Sequence, residues 1–127
     1  TYNASPDSMK AGIRVLASLA DCRRRIAVLA DMKELGQNAP LFHREIGIFL
    51  TGQPVDEVVV YGELAEEIAK GAEGKIKTTV FKEVQKQEMT QYLETLLQEG
   101  DAVLFKGSNS MKLGETAAHF IRRGTME

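Results

Sequence analysis

The architecture can be inferred first from a short β-rich run, Arg25-Ile26-Ala27-Val28-Leu29-Ala30, in which apolar residues follow one another without polar alternation. Such near-continuous runs are typical of parallel strands that are covered on both faces. Similar runs follow at 57–61, 77–81 and 102–106. The sequence therefore predicts a parallel sheet built from these four strands.

Helical periodicity fills the segments between the strands. The first helix is predicted to start near Ser5, whose side-chain oxygen can cap backbone N–H groups, and Pro6 suits the first helical position. Gly100 is predicted to end the fourth helix in a left-handed conformation. Apolar residues at helical spacing predict five buried faces: Met9, Ile13, Leu16 and Leu19; Phe42, Ile46 and Phe49; Leu64, Ala65 and Ile68; Met89, Leu93, Leu96 and Leu97; Leu113, Ala117, Phe120 and Ile121.

This alternation of helices and strands indicates the α/β class. We expect a Rossmann-like, open and mostly parallel sheet with helices on both faces, in three α/β/α layers. The 127 residues fit a single domain, residues 1–127. The polar segment Thr1–Ala4 is typical of the loop that leaves a strand, so we expect further chain upstream.

Composition argues against several classes of function. Lys+Arg 16 against Asp+Glu 18 gives a net charge of −2, without the basic excess of a nucleic-acid binder. The apolar runs are far shorter than the roughly 20 residues that cross a bilayer, so no membrane partner is expected. The single Cys22 and the separated His43 and His119 form no recognisable metal site. A reducing, cytoplasmic location is the expectation.

The most informative loop, Lys106-Gly107-Ser108-Asn109-Ser110, directly follows the last predicted strand. Ligands of open parallel sheets bind beyond the carboxyl ends of the strands. Lys106 would direct its ammonium into that crevice, Gly107 would allow close approach of a ligand, and the hydroxyl and N–H groups at a helix start would suit an anion. An ordinary helix cap beside a lysine that extends into solvent is the alternative, and spacing alone leaves both open.

A second loop, residues 31–36, follows the first predicted strand. Its carboxylates, Asp31 and Glu34, could bind a metal, a ribose or an amine, but a solvated turn is the favoured interpretation. His43 is expected to be a packing or hydrogen-bonding residue rather than a ligand, and Glu45 lies on a neighbouring helix face. The run 23–25 of arginines is expected to be a solvated connector or a contact with another domain.

Several nucleotide motifs are absent from the sequence. It contains neither G-x-G-x-x-G nor G-x-x-x-x-G-K-[ST], so a standard dinucleotide site or P-loop is not supported. A stand-alone flavodoxin- or receiver-like binding module is the alternative function. A receiver would place a lysine where Lys106 stands, but it would also need an aspartate where Tyr61-Gly62 stands.

Four motifs, taken together, resemble the Mur ligases that add D-alanyl-D-alanine. Residues 1–9, TYNASPDSM, resemble T-Y-N-A-N-P-x-S-M of that family. Residues 28–36, 43–47 and 100–108 are similar to V-L-G-D-M-x-E-L-G, H-x-E-x-G and G-D-x-V-L-x-K-G-S. The chain departs from the family pattern at Ser5 and Ala30, and Asn109 stands where the family often carries arginine. The resemblance implies the C-terminal domain of a three-domain ligase, whose UDP-sugar-binding and central P-loop ATPase domains lie outside this sequence.

The resemblance also implies a reaction in peptidoglycan (cell wall) synthesis. ATP, with Mg²⁺, would phosphorylate the carboxylate of UDP-N-acetylmuramoyl-tripeptide. The amine of D-alanyl-D-alanine would then attack the acyl phosphate, forming the amide bond with loss of phosphate. Both cofactors would be bound mainly by the central domain, so the isolated domain is expected to be inactive, and a monomer is expected.

Individual residues take roles only through this resemblance. Tyr2 and Asn3 would face the nucleotide, and the loop Lys106, Gly107, Ser108 and Asn109 would bind D-alanyl-D-alanine. No catalytic residue is expected in this domain. The resemblance leaves open the roles of the motif residues Asp31, Glu34, His43 and Glu45.

Overall fold

The computed structural model describes residues 4–122, with side chains for residues 4–120. The expectations for Tyr2, Asn3 and the side chain of Ile121 therefore lie outside the described part. Helices and strands alternate as α1 (Pro6–Ser18), β1 (Arg25–Ala30), α2 (Ala39–Leu50), β2 (Glu57–Tyr61), α3 (Glu66–Ala72), β3 (Lys77–Phe81), α4 (Lys86–Leu96), β4 (Ala102–Lys106) and α5 (Leu113–Arg122). All four predicted strands are confirmed with the same bounds.

The strands form one parallel sheet in the order β3-β2-β1-β4. The central strand β1 pairs with β2 on one side and β4 on the other, so Val28 lies between Val59 and Phe105. The chain moves outward from β1 to β3 and then returns to the opposite side as β4. The strand order therefore reverses between β1 and β4, which is where open α/β sheets bind ligands.

A separate core covers each face of the sheet. Helices α1, α2 and α3 pack on one face, with Leu29 and Val60 pointing toward them. Helices α4 and α5 pack on the other face, against Val28 and Val59. The predicted three-layer α/β/α arrangement is confirmed.

Helix α1 begins at the carboxyl edge of the sheet. A capping box fixes its start, because Ser8 N–H donates to Ser5 Oγ (3.2 Å) and Ser5 N–H donates to Ser8 Oγ (2.9 Å). At its other end Arg25 Nε donates to Leu19 O (3.1 Å), beside the start of β1. The helix therefore runs antiparallel to the strands, and the predicted cap at Ser5 is confirmed.

The two outer strands correct the prediction of strands covered on both faces. Only β1 and β2 are deeply buried, whereas β3 and β4 are half-buried or exposed along their length. Strands β3 and β4 are the edges of the described sheet, so each lacks a neighbouring strand on one side. Apolar composition alone did not distinguish central strands from edge strands.

Some predicted helix faces and ends are also wrong. Helix α1 ends before Leu19, which is 42% exposed. Helix α2 buries His43, Ile46, Gly47 and Leu50 rather than Phe42 and Phe49, which are half-buried. The physical reason is that α2 lies directly against α3, where a Cβ at Gly47 would stand 2.8 Å from Gly71 Cα.

The predicted end of α4 and the predicted exposure of the arginine run 23–25 also differ from the structure, and Asp101 is involved in both differences. Helix α4 ends at Leu96, and Gly100, although left-handed (φ +95), lies in the following turn. Asp101 organises that turn, because it accepts from Gln98 N–H (2.9 Å) and from Arg24 Nη2 (2.7 Å). Arg24 is therefore half-buried in an ion pair rather than a solvated connector.

Burial would raise the pKa of Asp101, but hydrogen bonds from Arg24, Gln98 and Arg23 outweigh it and hold this pKa below its ordinary value.

Across the described residues, none of the helices has both the length and the apolar character that a bilayer crossing requires.

Candidate functional site

The loops that follow β1 and β4 are joined to each other at the carboxyl edge of the sheet. Ser108 N–H donates to Asp31 O (3.0 Å), and Lys33 N–H donates to Ser108 Oγ (2.8 Å). Ser108 is 2% exposed. Because β1 and β4 are neighbours in the sheet, the two motif loops that the sequence predicts separately become one structural unit.

Asp31 anchors this unit to the loop after β2. Its side chain is almost fully buried, its Oδ1 accepts from Ala65 N–H (2.6 Å), and its Oδ2 lies 3.6 Å from Lys33 Nζ. Gly62 makes room for the carboxylate, since a Cβ there would stand 2.6 Å from Asp31 Cγ. The favoured prediction of a solvated turn at Asp31 is therefore wrong, and the carboxylate joins loops instead.

His43 holds the same loop from the other side. The imidazole is fully buried, its Nε2 accepts from Met32 N–H (2.9 Å), and its Nδ1 donates to Ala39 O (2.7 Å). Burial lowers the pKa of His43, against the opposing effects of the Ala39 carbonyl and the Asp31 charge. The prediction that His43 forms hydrogen bonds within the fold is confirmed.

The two other carboxylate residues whose roles the resemblance leaves open face solvent. Glu34 is exposed and has a left-handed backbone (φ +63), and Glu45 is exposed on the outer side of α2. The structure therefore separates these two residues from the buried cluster that contains Asp31 and His43.

A cavity of about 520 Å³ opens between the end of β4 and the start of α5. Two basic residues, Lys106 and Lys112, contribute to its lining together with one acidic residue, Glu115. Lys86 Nζ lies 3.8 Å from a Glu115 oxygen and offsets part of that negative charge. The cavity therefore suits an anionic ligand. The remaining lining residues are Phe105, Gly107, Ser108, Asn109, Leu113 and Gly114.

Lys106 lies between this cavity and helix α1. The stem of its side chain packs beside α1, where a Cβ at Gly12 would stand 3.0 Å from Lys106 Cδ. Since α1 begins at the carboxyl edge, Ala4 and Ser5 lie at the same edge of the sheet as the lysine loop. The first and last motif segments are therefore not on opposite edges.

Gly107 in the lysine loop packs against β1. A Cβ there would stand 2.7 Å from Ala30 Cβ, so the fold itself requires this glycine, and the approach of a ligand to it stays a prediction. The expectation that the next helix starts within the loop is wrong for α5. A 3-10 turn, Asn109–Met111, and the left-handed Lys112 (φ +59) come first, and α5 begins at Leu113.

Two cations near these loops were not predicted from the sequence. Lys33 Nζ lies 3.6 Å from Asp31 Oδ2 and 4.0 Å from Glu83 Oε1, while Lys112 lines the cavity. The position of Lys33 close after the end of β1 was a usable signal, whereas Lys112 follows no strand directly. Within the described part of the chain, no three His, Cys, Asp or Glu side chains group as metal ligands.

Comparison with known proteins identifies the family. The model of the family "Mur ligase, glutamate ligase domain" matches residues 1–109. The chain is 39% identical over 121 residues to the UDP-N-acetylmuramoyl-tripeptide--D-alanyl-D-alanine ligase of Bacillus subtilis, covering 94% of this chain and 26% of that protein. It is also 39% identical over 119 residues to the ligase of the same name from Haemophilus influenzae, covering 89% and 24%.

Solved structures agree with these relatives. A crystal structure of MurF from Acinetobacter baumannii superposes with a TM-score of 0.77 at 27% identity, covering 96% of this chain and 27% of that one. MurF ligase from Thermotoga maritima in complex with ADP gives a TM-score of 0.73 at 31% identity, covering 94% and 26%.

The chain spans about a quarter of the length of these relatives. None of these findings supports the alternative of a flavodoxin- or receiver-like module. The motif order, the joined loops and the family match lead to one conclusion: this chain belongs to the Mur ligase family, in which it represents the glutamate ligase domain.

Proposed function

We propose that this chain is the C-terminal domain of a three-domain, ATP-dependent ligase that adds D-alanyl-D-alanine to UDP-N-acetylmuramoyl-tripeptide in peptidoglycan synthesis. The names of the relatives support this activity. The observation that carries the proposal is the union of the two motif loops through Ser108, beside a cavity lined by Lys106 and Lys112. A dipeptide carboxylate is an anion of the kind such a cavity suits.

The other domains of the ligase would carry the UDP-sugar site and the P-loop. ATP, when bound there with Mg²⁺, supplies the phosphoryl group that activates the tripeptide carboxylate for attack by the dipeptide amine. This chain would orient the dipeptide and, by closing over the cleft, exclude water that would hydrolyse the acyl phosphate. We infer that the ligase acts as a cytoplasmic monomer.

The lysine loop would hold the incoming dipeptide. In this proposal the ammonium of Lys106 pairs with the dipeptide carboxylate, and Ser108 and Asn109 contribute polar groups around it. Tyr2 and Asn3 would face the nucleotide, as the family resemblance implies.

Replacing Lys106 in the full-length ligase tests the proposal. Loss of a charge-assisted hydrogen bond costs about 1.5–3 kcal/mol, so Lys106→Ala should raise the KM for D-alanyl-D-alanine at least tenfold. The KM for ATP should stay near its original value. Lys75→Ala is the matched control, because Lys75 is an exposed lysine between α3 and β3. Equal dipeptide KM values for the two variants would contradict the proposed role of the lysine loop.

A further inference from the structure

Two consecutive backbone N–H groups connect His43 to Ser108. Met32 N–H donates to His43 Nε2 (2.9 Å), and the next residue, Lys33, donates its N–H to Ser108 Oγ (2.8 Å). His43, Met32 and Ser108 are each at most 2% exposed. The peptide unit between Asp31 and Met32 also accepts from Ser108 N–H at Asp31 O (3.0 Å), so the position of the imidazole bears on the position of Ser108 through this one unit.

The directions of these hydrogen bonds follow from elementary chemistry. A backbone N–H can only donate, so His43 Nε2 must be unprotonated, and Nδ1 carries the proton that is donated to Ala39 O (2.7 Å). Ser108 Oγ accepts from Lys33, which leaves the hydroxyl proton available to a second acceptor. Ser108 lines the cavity beyond β4, where an anionic ligand would supply that acceptor.

We propose that His43 is a positioning residue for Ser108: it holds the peptide unit between Asp31 and Met32, whose carbonyl accepts from Ser108 N–H, so that the serine hydroxyl presents its proton to the dipeptide carboxylate. The inference rests on the proposed function, in which the lysine loop binds D-alanyl-D-alanine. It assigns a role to a motif residue that lies on α2, away from the cavity itself.

The surroundings of His43 argue against simple core filling. The adjoining core is composed mainly of aliphatic side chains such as Met32 and Ile46, any of which could fill space without a hydrogen bond. The imidazole instead uses both of its nitrogens, one toward the first turn of α2 and one toward the β1 loop. A residue that only packed would need neither contact.

Substitutions of different length separate these possibilities in the full-length ligase. Glutamine can place an amide oxygen near the position of Nε2 and can accept from Met32 N–H, whereas asparagine reaches only the position of Nδ1. We expect Ser108→Ala and His43→Asn each to raise the KM for D-alanyl-D-alanine about fivefold, with kcat little changed. His43→Gln should stay within about twofold of the original KM.

A double variant tests whether His43 acts through Ser108. If it does, His43→Asn combined with Ser108→Ala should be no worse than Ser108→Ala alone. Hydrogen exchange of the segment 31–36 should be faster in His43→Asn than in His43→Gln. His119→Asn is the matched control, because His119 lies on α5 and should leave both measurements unchanged.

The possible failures are distinguishable. An unchanged KM in Ser108→Ala would refute the assignment of Ser108 to the dipeptide, and the positioning role would fall with it. A raised KM in Ser108→Ala, together with an unchanged KM in His43→Asn or with additive effects in the double variant, would overturn the positioning role alone. Equal impairment of the glutamine and asparagine variants would also overturn it.

Discussion

At the scale of single residues, the carboxylate of Asp31 leaves no room for a side chain at position 62, which is therefore a glycine. Its φ of +120° disfavours any side chain, and a Cβ would stand 2.6 Å from Asp31 Cγ. We expect Gly62→Ala to lower the free energy of unfolding by about 3 kcal/mol, from backbone strain and overpacking together. Urea denaturation of the variant measures this loss.

Gly74 provides the matched control for that substitution. It also has a positive φ (+78), but a Cβ there would meet nothing within 4 Å. Gly74→Ala should therefore cost about 1 kcal/mol, from the left-handed backbone alone. Similar losses at the two positions would show that contact with Asp31 adds nothing.

His43 should make stability depend on pH in a specific direction. Burial lowers the pKa of His43 in the folded protein, and the positive charge of Lys33 acts in the same direction. The negative charges of Asp31 and Glu67 act in the opposite direction but do not outweigh burial. The unfolded chain therefore binds more protons, so this contribution to stability is present above about pH 6.5 and is lost as the pH falls through the folded pKa. Urea midpoints measured between pH 8 and pH 5 should follow this trend.

His43→Gln isolates that contribution, since glutamine does not titrate in this range. The difference in urea midpoint between the original protein and the variant should shrink or reverse as the pH falls. A difference that stays constant with pH would contradict the assignment of the neutral imidazole to this site.

At the scale of elements, the contact between α2 and α3 depends on paired glycines. A Cβ at Gly47 would enter the backbone of α3 near Ile68 and Gly71, and a Cβ at Gly71 would enter that of α2 near Arg44. We expect Gly47→Ala to reduce the free energy of unfolding by about 2–3 kcal/mol, because the helices must separate. Thermal or urea unfolding provides the measurement.

A helical glycine with open surroundings serves as the comparison. Gly114 lies in the first turn of α5, and a Cβ there would meet nothing within 4 Å. Gly114→Ala should leave stability unchanged or raise it by up to about 1 kcal/mol, since alanine favours the helix. A Gly47 variant as stable as this one would mean that the two helices do not limit each other's approach.

How far the sequence predicts the elements depends on what each signal measures. Runs such as 25–30 and 57–61 specify strands because their apolar residues are continuous, and their bounds are confirmed. The same signal cannot tell that β3 and β4 are edges, since edge position depends on strand order. The predicted end of α4 at Gly100 is wrong because the contacts of Asp101 with Arg24 and with Gln98 N–H organise the turn after the helix.

At the scale of the whole molecule, catalysis should require more than this chain. The sequence has no P-loop, and the chain spans about a quarter of the length of its relatives. We expect the purified chain of 127 residues to release no phosphate from ATP, with or without both other substrates. A malachite-green assay measures phosphate, and circular dichroism in the same buffer checks that the sample is folded.

The full-length ligase is the positive control in that assay. It should release phosphate only when the tripeptide substrate and D-alanyl-D-alanine are both supplied. Phosphate release by the folded chain alone would show that residues of this chain bind and cleave ATP. That result would contradict the proposal that the other domains carry this step.

The candidate site was only partly predictable, because its contacts join residues that are distant in sequence. The sequence located the loops after β1 and β4 from the general behaviour of parallel sheets. It could not show that Asp31 binds Ala65 or that Ser108 binds Lys33, since those pairings arise only when the strands align. The sequence therefore predicts Asp31 in solvent, which the structure contradicts, whereas the predicted hydrogen-bonding role of His43 is confirmed.

The contact between Ala30 and Gly107 has a consequence for sequence variation. The gap between the ends of β1 and β4 has room for one methyl group, and the side chain of Ala30 fills it. Residue 107 therefore has to be a glycine. The two positions therefore constrain each other: a chain with glycine at 30 would have more freedom to enlarge residue 107, while this chain has none. The methyl group of Ala30 on the central strand β1 thus limits which residue types the lysine loop can carry at position 107.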